Sequence, residues 1–382
     1  MQRCHSIFLL TLRYPGLSAL SYYVLQHVGL GMMEARTITL REPDGVAGGA
    51  RMAGGRVKAP PLVSVGMPVF NGENYVGQAI ESVLAQSFGD FELIICDNAS
   101  TDRTGDICRD FAARDPRVRY MRNARNIGAG PNFDRCFHLA RGTYFQWAAH
   151  DDMRAPDYLA RAIAALEANP AAVLCIAGIV EIGADGRVLR RYATELDDMA
   201  SSDPARRFGC VINSHHQCED FFGVYRRAAL QGTGLIGTFS GSDRVLLAEM
   251  ALRGPWVRLP DHLFLHREHA ERATRALLLV DRAAAVRWLA PEAKPRHGKL
   301  FHLILYRDYW RVMRRNIPRG QRSGCRRELL RWWVRDGHFA DVVRDILQAI
   351  NPHLLLLLRR LKHATLGAHR DMRPGSLPTL ER

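Results

Sequence analysis

No two of the eight cysteines, Cys4, Cys96, Cys108, Cys136, Cys175, Cys210, Cys218 and Cys325, stand at Cys-x-x-Cys spacing. That excludes a zinc ribbon, and the scatter over a long chain excludes a disulfide framework; the thiols read as reduced, in a reducing compartment. The chain also lacks a Gly-x-x-x-x-Gly-Lys-Ser/Thr segment. Its nearest approach to a dinucleotide fingerprint, GAGPNF at 128–133, carries Phe133 where the third glycine would stand. Both phosphate cradles are therefore missing. Long apolar runs are missing too. SIFLLTL and LSALSYYVLQHVGLGMM, near the N-terminus, are interrupted by Arg13, Pro15 and several glycines. They are too short and broken for a membrane-spanning helix, and fit either a secretory signal after Arg3 or an upstream extension of the true start.

What the sequence has in excess is positive charge. Its 53 Lys and Arg against 39 Asp and Glu give a formal +14, which favours an acidic partner: nucleic acid, anionic lipid or a phosphorylated metabolite. No helix-turn-helix, zinc-finger or RNA-sheet signature accompanies that charge, so no nucleic-acid partner is expected. With 382 residues, 47% of them hydrophobic, the chain can bury one large core or two modest ones.

Residues 41–61, rich in Gly, Ala and Pro, read as a linker. After it the pattern changes. LVSVGMPVF (62–70) is an apolar, β-leaning run that stops at Asn71-Gly72, and a helix follows in which Tyr75, Val76, Ala79, Ile80, Val83 and Leu84 recur at helical spacing. FELIICD (91–97) and VRYMR (118–122) repeat the strand pattern, with a helix between them carrying Ile107 and Phe111. Pro131 suits the first turn of the next helix. TYFQWAA (143–149) is a fourth strand, and Pro156 opens the helix after it. Strands alternating with helices predict an α/β domain with a mostly parallel sheet.

In such sheets ligands bind outside the carboxyl ends of the strands. The notable polar residues all fall there: Asn71 and Glu73 after strand one, Asp97 and Asn98 after strand two, Asn126 after strand three, Asp151 and Asp152 after strand four. Two adjacent carboxylates repel, and a divalent cation between them and a diphosphate would relieve that repulsion. The alternative is an acidic pair placed before a helix to suit its dipole.

Taken in order, VSVGMPVFNGENYVGQAIESVLAQSF, FELIICDNASTDRT, RNARNIGAG and ARGTYFQWAAHDD resemble the family 2 glycosyltransferases of the GT-A fold, closely over 62–169 and more loosely to about 275. The resemblance implies a Rossmann-like α/β sandwich at 61–275. Its nucleotide-binding half would be 61–152 and its acceptor half 153–275, with 1–60 an extension and 276–382 a basic helical region. It implies that Pro68, Val69, Phe70, Asn71 and Glu73 border the nucleotide and that Asp97 contacts the base with Asn126 beside it. Asp151 would face the ribose, and Asp152 would hold Mn²⁺ or Mg²⁺. Two departures stand out: Asp97-Asn98-Ala99-Ser100 where many members carry Asp-Asp-Gly-Ser, and Ala149 where many carry a further acid.

The activity implied is inverting transfer of a sugar from a nucleoside-diphosphate sugar to a glycan or lipid-linked hydroxyl, in the cytoplasm or on the inner face of its membrane. Inversion needs a general base, and Asp243 in TFSGSDRVLLAEMALRG matches the family's position loosely, with capping of its helix as the alternative. His150 sits inside the acidic motif as either a substrate contact or a structural hydrogen-bond partner. Arg267 and His269 are candidates for diphosphate or acceptor contacts. His262, His266 and His269 suggest zinc but lack a carboxylate or cysteine at motif spacing. VLCIAGIVEIGADGRVLRR reads as a hairpin turning at Asp185-Gly186.

Beyond 275 the chain becomes helical and basic. Arg311, Arg314, Arg315, Arg319, Arg322, Arg326, Arg327, Arg331 and Arg335 run alongside Trp310, Trp332 and Trp333, and Phe339, Val342, Val343, Ile346, Leu347 and Ile350 share a helix face. Contact with an anionic membrane and packing onto the catalytic domain both fit. Two other functional classes stay open: a nucleotide-sugar or glycan binder without turnover, and a nucleic-acid binder.

Overall fold

The computed structural model describes residues 59–270, 272, 282–292 and 300–350. The N-terminal apolar runs, the linker up to Lys58 and the leucine-rich stretch after Asn351-Pro352 lie outside the described residues.

The strand and helix expectations of the first half map onto β1 (Val63–Val69), α1 (Val76–Leu84), β2 (Phe91–Asp97), α2 (Thr104–Arg114), β3 (Val118–Arg122), α3 (Ala129–Leu139) and β4 (Tyr144–Trp147). After the two-residue β5 (Met153–Arg154) comes α4 (Tyr158–Ala168), which starts two residues beyond Pro156. The second half adds β6 (Leu174–Ile182), β7 (Val188–Tyr192), α5 (Pro204–Asn213), β8 (Val224–Arg226), the single turn α6 (Arg227–Leu230), α7 (Ser242–Arg253) and β9 (Trp256–Arg267). Four further helices follow: α8 (Arg282–Leu289), α9 (Phe301–Asn316), α10 (Ser323–Val334) and α11 (His338–Ile350).

One mixed sheet carries the strands in the order β3-β2-β1-β4-β8-β6-β9-β5, with β7 on β6. Its long ladders are parallel, the longest uncomplicated one running from Val63↔Phe91 to Val69↔Asp97, whereas the antiparallel β8 meets its neighbours over two or three residues. β6 and β7 turn at Gly186, whose φ of +83° suits glycine and whose N–H donates to Gly183 O at 2.9 Å. Strand order reverses between β1 and β4, because β2 and β3 lie on one side of β1 and β4 on the other. That reversal opens a crevice at the carboxyl ends of the two strands, the usual ligand position in α/β sheets.

The strands read as continuous apolar runs because both faces are covered. On β2, Leu93 and Ile95 pack with Val63, Val65 and α1 on one face, while Ile94 and Cys96 pack with α3 and Trp147 on the other. The second of these cores also takes in Phe208 of α5, Leu246 and Met250 of α7, and Leu305, Tyr309, Met313, Leu329 and Trp332 of α9 and α10. The C-terminal helices are thus a layer on the sheet domain, and Trp332 is an interior residue.

Glu92 shows how a charge is kept inside this frame. It is 3% exposed and accepts hydrogen bonds from Ser64 Oγ at 2.7 Å, Arg119 Nη1 at 2.6 Å and Arg141 Nη2 at 2.8 Å. Burial works against its ionised form, but the bonds from Arg141, Ser64 and Arg119 prevail and its pKa falls below the ordinary glutamate value. A depressed folded-state pKa contributes stability above the unfolded-state value and loses it as pH falls through the folded one. Glu92→Gln is therefore expected to cost about 1.5–3 kcal/mol at neutral pH, with the deficit shrinking toward acid in urea titrations. An equal deficit at every pH would contradict this.

Candidate active site

The loops after β1 and β2 are fastened to each other before they meet any ligand. Asn71 adopts φ +50°, its N–H donates to Ser100 Oγ at 3.0 Å, and its Oδ1 accepts from Thr101 N at 2.8 Å. Gly72 N donates to Thr104 Oγ1 at 2.8 Å. Glu73 N donates to Asp102 Oδ2, and Glu73 Oε2 in turn accepts from Arg103 N at 3.0 Å, at the start of α2. Pro68 to Gly72 line a cavity of about 380 Å³, but Glu73 does not. The Glu73 carboxylate serves an N–H group at the start of α2, beside the loop that lines the cavity.

Asp97 is likewise engaged within the protein. It is fully buried, with Oδ1 accepting from Ser100 N at 2.8 Å and Oδ2 from Tyr120 Oη and Arg122 Nη1, both at 2.6 Å. Burial would raise its pKa, and the Ser100, Tyr120 and Arg122 bonds together take it below the ordinary aspartate value. The cavity is lined instead by its neighbour Asn98. Asn98 donates to Asn126 Oδ1 at 2.8 Å and accepts from Asn123 Nδ2 at 3.0 Å and Ile127 N at 2.9 Å, so an uncharged amide network joins the ends of β2 and β3.

His150, Asp151 and Asp152 all line the cavity after β4. Asp152 is 2% exposed, accepts from Arg267 N at 2.8 Å and lies 3.2 Å from His266 Nδ1. Asp151 Oδ2 lies 3.0 Å from His269 Nε2. Burial opposes the charge of Asp151, but His150 and His269 outweigh it and hold its pKa well below the usual range. His266 is raised above the ordinary histidine value, because Asp152 overcomes the cost of its burial.

Arg267 does not reach the cavity. It is 1% exposed, donates to Asp151 O, Gly183 O, Ala184 O and Gln78 Oε1, and lies over the Tyr75 ring. Those donors brace the acidic loop against α1 and the β6–β7 turn. His269, by contrast, faces the cavity beside Tyr75, with ring centroids 4.7 Å apart.

The opposite wall comes from the second half. Trp147 stacks on Phe221 at 4.6 Å between centroids and so presses the 3₁₀ turn Glu219–Phe222 against the sheet, where Phe221 and Phe222 line the cavity. Gly241, at φ +84°, turns the chain into α7, whose second residue is Asp243. Asp243 accepts from Arg244 N at 2.8 Å and lines the cavity; the N-cap of α7 is Gly241, with no side-chain cap bond, so the capping alternative is not what the helix start shows. Its pKa is raised, because burial outweighs the opposing Arg244 N–H bond and guanidinium charge; that guanidinium donates to Ser214 O and His216 O.

The cavity is closed by residues that no sequence signal marked: Arg287, Trp288 and Leu289 of α8, with Pro291 after it. Gly128 permits this approach. At φ +90° it has no Cβ, and one would stand 2.4 Å from Leu289 O. An ion pair between Arg125 and Glu292 holds the same junction.

Among the described residues no group of three or more His, Cys, Asp or Glu side chains is placed to hold a metal ion. That includes His262, His266 and His269, whose spacing had already counted against zinc. The carboxylates of Asp151 and Asp152 are hard oxygen donors on the cavity wall, and a divalent cation there would have to complete its shell with diphosphate oxygens and water. The residues fit Mn²⁺ or Mg²⁺ bound together with a phosphorylated ligand.

A profile described as "Glycosyl transferase family 2" matches residues 64–233, the stretch that contains the crevice, the acidic pair and the turn carrying Phe221 and Phe222. Residues 64–233 are thus a glycosyl transferase family 2 segment. The chain is 30% identical over 137 residues to the uncharacterized glycosyltransferase MJ1057 of Methanocaldococcus jannaschii, covering 35% of the chain and 47% of that protein. It is 38% identical over 101 residues to the chondroitin synthase of Escherichia coli, covering 26% of the chain and 15% of that protein. Among solved structures it is similar to S. aureus TarS in complex with UDP, with a TM-score of 0.49 and 16% identity over 72% of each chain. The chain spans less than half the length of the curated relatives it matches.

Proposed function

We propose that this chain transfers a sugar, with inversion, from a nucleoside-diphosphate sugar to a hydroxyl on a glycan or lipid-linked precursor. The observation that carries the reading is one cavity with two kinds of carboxylate on opposite walls. Asp151 and Asp152 stand at the end of β4, and Asp243 on α7 has its pKa pushed up by burial. A carboxylate with a raised pKa is the stronger base.

In this reading Asp243 takes the proton of the acceptor hydroxyl as that oxygen bonds to the sugar's anomeric carbon. The bond from that carbon to the diphosphate breaks on the far side, and the nucleoside diphosphate leaves with the electron pair. Pro68, Val69, Phe70, Asn71, Asn98 and Asn126 hold the nucleoside, and Phe221, Phe222 and Trp288 help to exclude water. Mn²⁺ or Mg²⁺ on Asp152, with Asp151 beside it, would neutralise charge on the leaving diphosphate. Tyr75 and His269 keep the acidic loop in place.

The base must be ionised, and burial of Asp243 raises its pKa, so kcat/KM is expected to fall as pH drops through a value above the ordinary aspartate range of about 3.9. A pH–rate profile with no acid limb above that range would remove Asp243 from the role. The reading itself is tested by thermal stabilisation with a panel of nucleoside diphosphates and their sugars, with and without Mn²⁺. A metal-dependent shift for one nucleotide is expected, and none for any of them would overturn it. Binding with no transfer to any acceptor would return the chain to the class of nucleotide-sugar binders.

A further inference from the structure

The large apolar side chains exposed among the described residues are not scattered. Phe70 is at the cavity rim and Val188 and Leu189 are on β7, but Leu330, Val334, Phe339 and Ile350, exposed by 52%, 79%, 42% and 71%, all belong to α10 and α11. Leu330 and Val334 are one turn apart on α10. Phe339, Val343, Ile346 and Ile350 follow helical spacing on α11, and Trp333 touches Phe339 across the turn between the helices. The opposite faces are spent on the core, through Cys325, Leu329, Trp332 and Val342.

Charge says what could cover this surface. Arg326, Arg327, Arg331, Arg335 and Arg344 are exposed on the same two helices and the turn joining them, whose acids are Glu328, Asp336, Asp341 and the buried Asp345; Glu328 pairs with Arg331 and Asp341 with Arg344. Arg326 and Arg327 lie one turn before Leu330 and so flank the apolar stripe. The sequence that follows Ile350, NPHLLLLLRRLKHATLG, repeats the mixture of leucine and basic residues. No described helix is long and apolar enough to cross a membrane.

We propose that the outer faces of α10 and α11 dock the enzyme on an anionic lipid bilayer. Apolar side chains enter the interface while the flanking arginines meet the headgroups, a pairing of two weak signals that gives reversible binding. The proposal does not depend on sugar transfer. It also changes which residues anchor: not Trp332, which is buried, but Leu330, Val334, Phe339 and Ile350.

The experiment is co-sedimentation of the full chain with vesicles of phosphatidylcholine alone or mixed with phosphatidylglycerol, at low and high salt. Binding is expected to the mixed vesicles only, weakened by salt, and weaker by about tenfold or more in Leu330→Asp/Val334→Asp, where two negative charges enter the interface. Thermal unfolding of that variant should match wild type, since both side chains are largely exposed. Three results would overturn the proposal: no binding to phosphatidylglycerol vesicles, equal binding by the variant, or a wild-type dimer that the variant dissolves.

Discussion

Asp243→Asn is expected to lower kcat by about 10²- to 10⁴-fold, the range that a positioned general base contributes. Nucleotide binding should persist, because nothing on the β1, β2 or β3 loops depends on this side chain. The amide keeps an oxygen for the Arg244 N–H at the start of α7, so the helix entry survives. The acid limb attributed to Asp243 should vanish from whatever activity remains. Measuring kcat beside the thermal shift given by the nucleotide separates the two roles. A variant with unchanged kcat would leave Asp243 as the helix-start residue that its hydrogen bond already makes it.

Asp152→Asn is expected to abolish the metal-dependent part of nucleotide binding. For wild type, nucleotide at about 100 times Kd should raise stability by about 2.7 kcal/mol, and the variant should show little of this whether or not Mn²⁺ is present. Asparagine retains an oxygen for the Arg267 N–H, so the brace from β9 to the acidic loop is kept. Asp152→Ala would instead leave that N–H buried without a partner, adding about 1–3 kcal/mol of destabilisation. The asparagine variant is therefore the cleaner probe. A full Mn²⁺-dependent shift in it would move the metal site elsewhere in the cavity.

Much of the first half was legible because local pattern and tertiary fate coincide there. A buried parallel strand has both faces covered, so it shows as a short continuous apolar run, and FELIICD and VRYMR carry the bounds of β2 and β3 within them. The polar residues after each run then fall at the carboxyl ends by topology alone. The acidic pair was found that way and Asp243 through the family resemblance, and all three line one cavity.

Legibility stopped at the direction of individual side chains. Asp97 and Asn98 are adjacent at the end of β2, and consecutive side chains on a strand point to opposite sides. The pleat and the presence of Tyr120 and Arg122 on β3 decide that Asp97 turns inward, leaving Asn98 for the cavity. Arg267 looked like an anion contact because it is an arginine after a strand. Only the arrival of Gln78 from one distant segment and of Gly183 and Ala184 from another shows that its donors are already engaged.

The sequence by itself determined the alternation of strands and helices, the loop ends at which polar groups gather, and the family. The first two depend on periods of two and 3.6 residues and on turn chemistry, and the family on four short motifs in order, all of which are local. The tertiary structure alone decided which carboxylates face the cavity and that Arg287 and Trp288 close it. It also decided that Trp332 lies inside while Leu330 and Val334 lie outside. Such outcomes turn on contacts between residues far apart in the chain, where packing and the satisfaction of buried polar groups, rather than local propensity, choose the orientation.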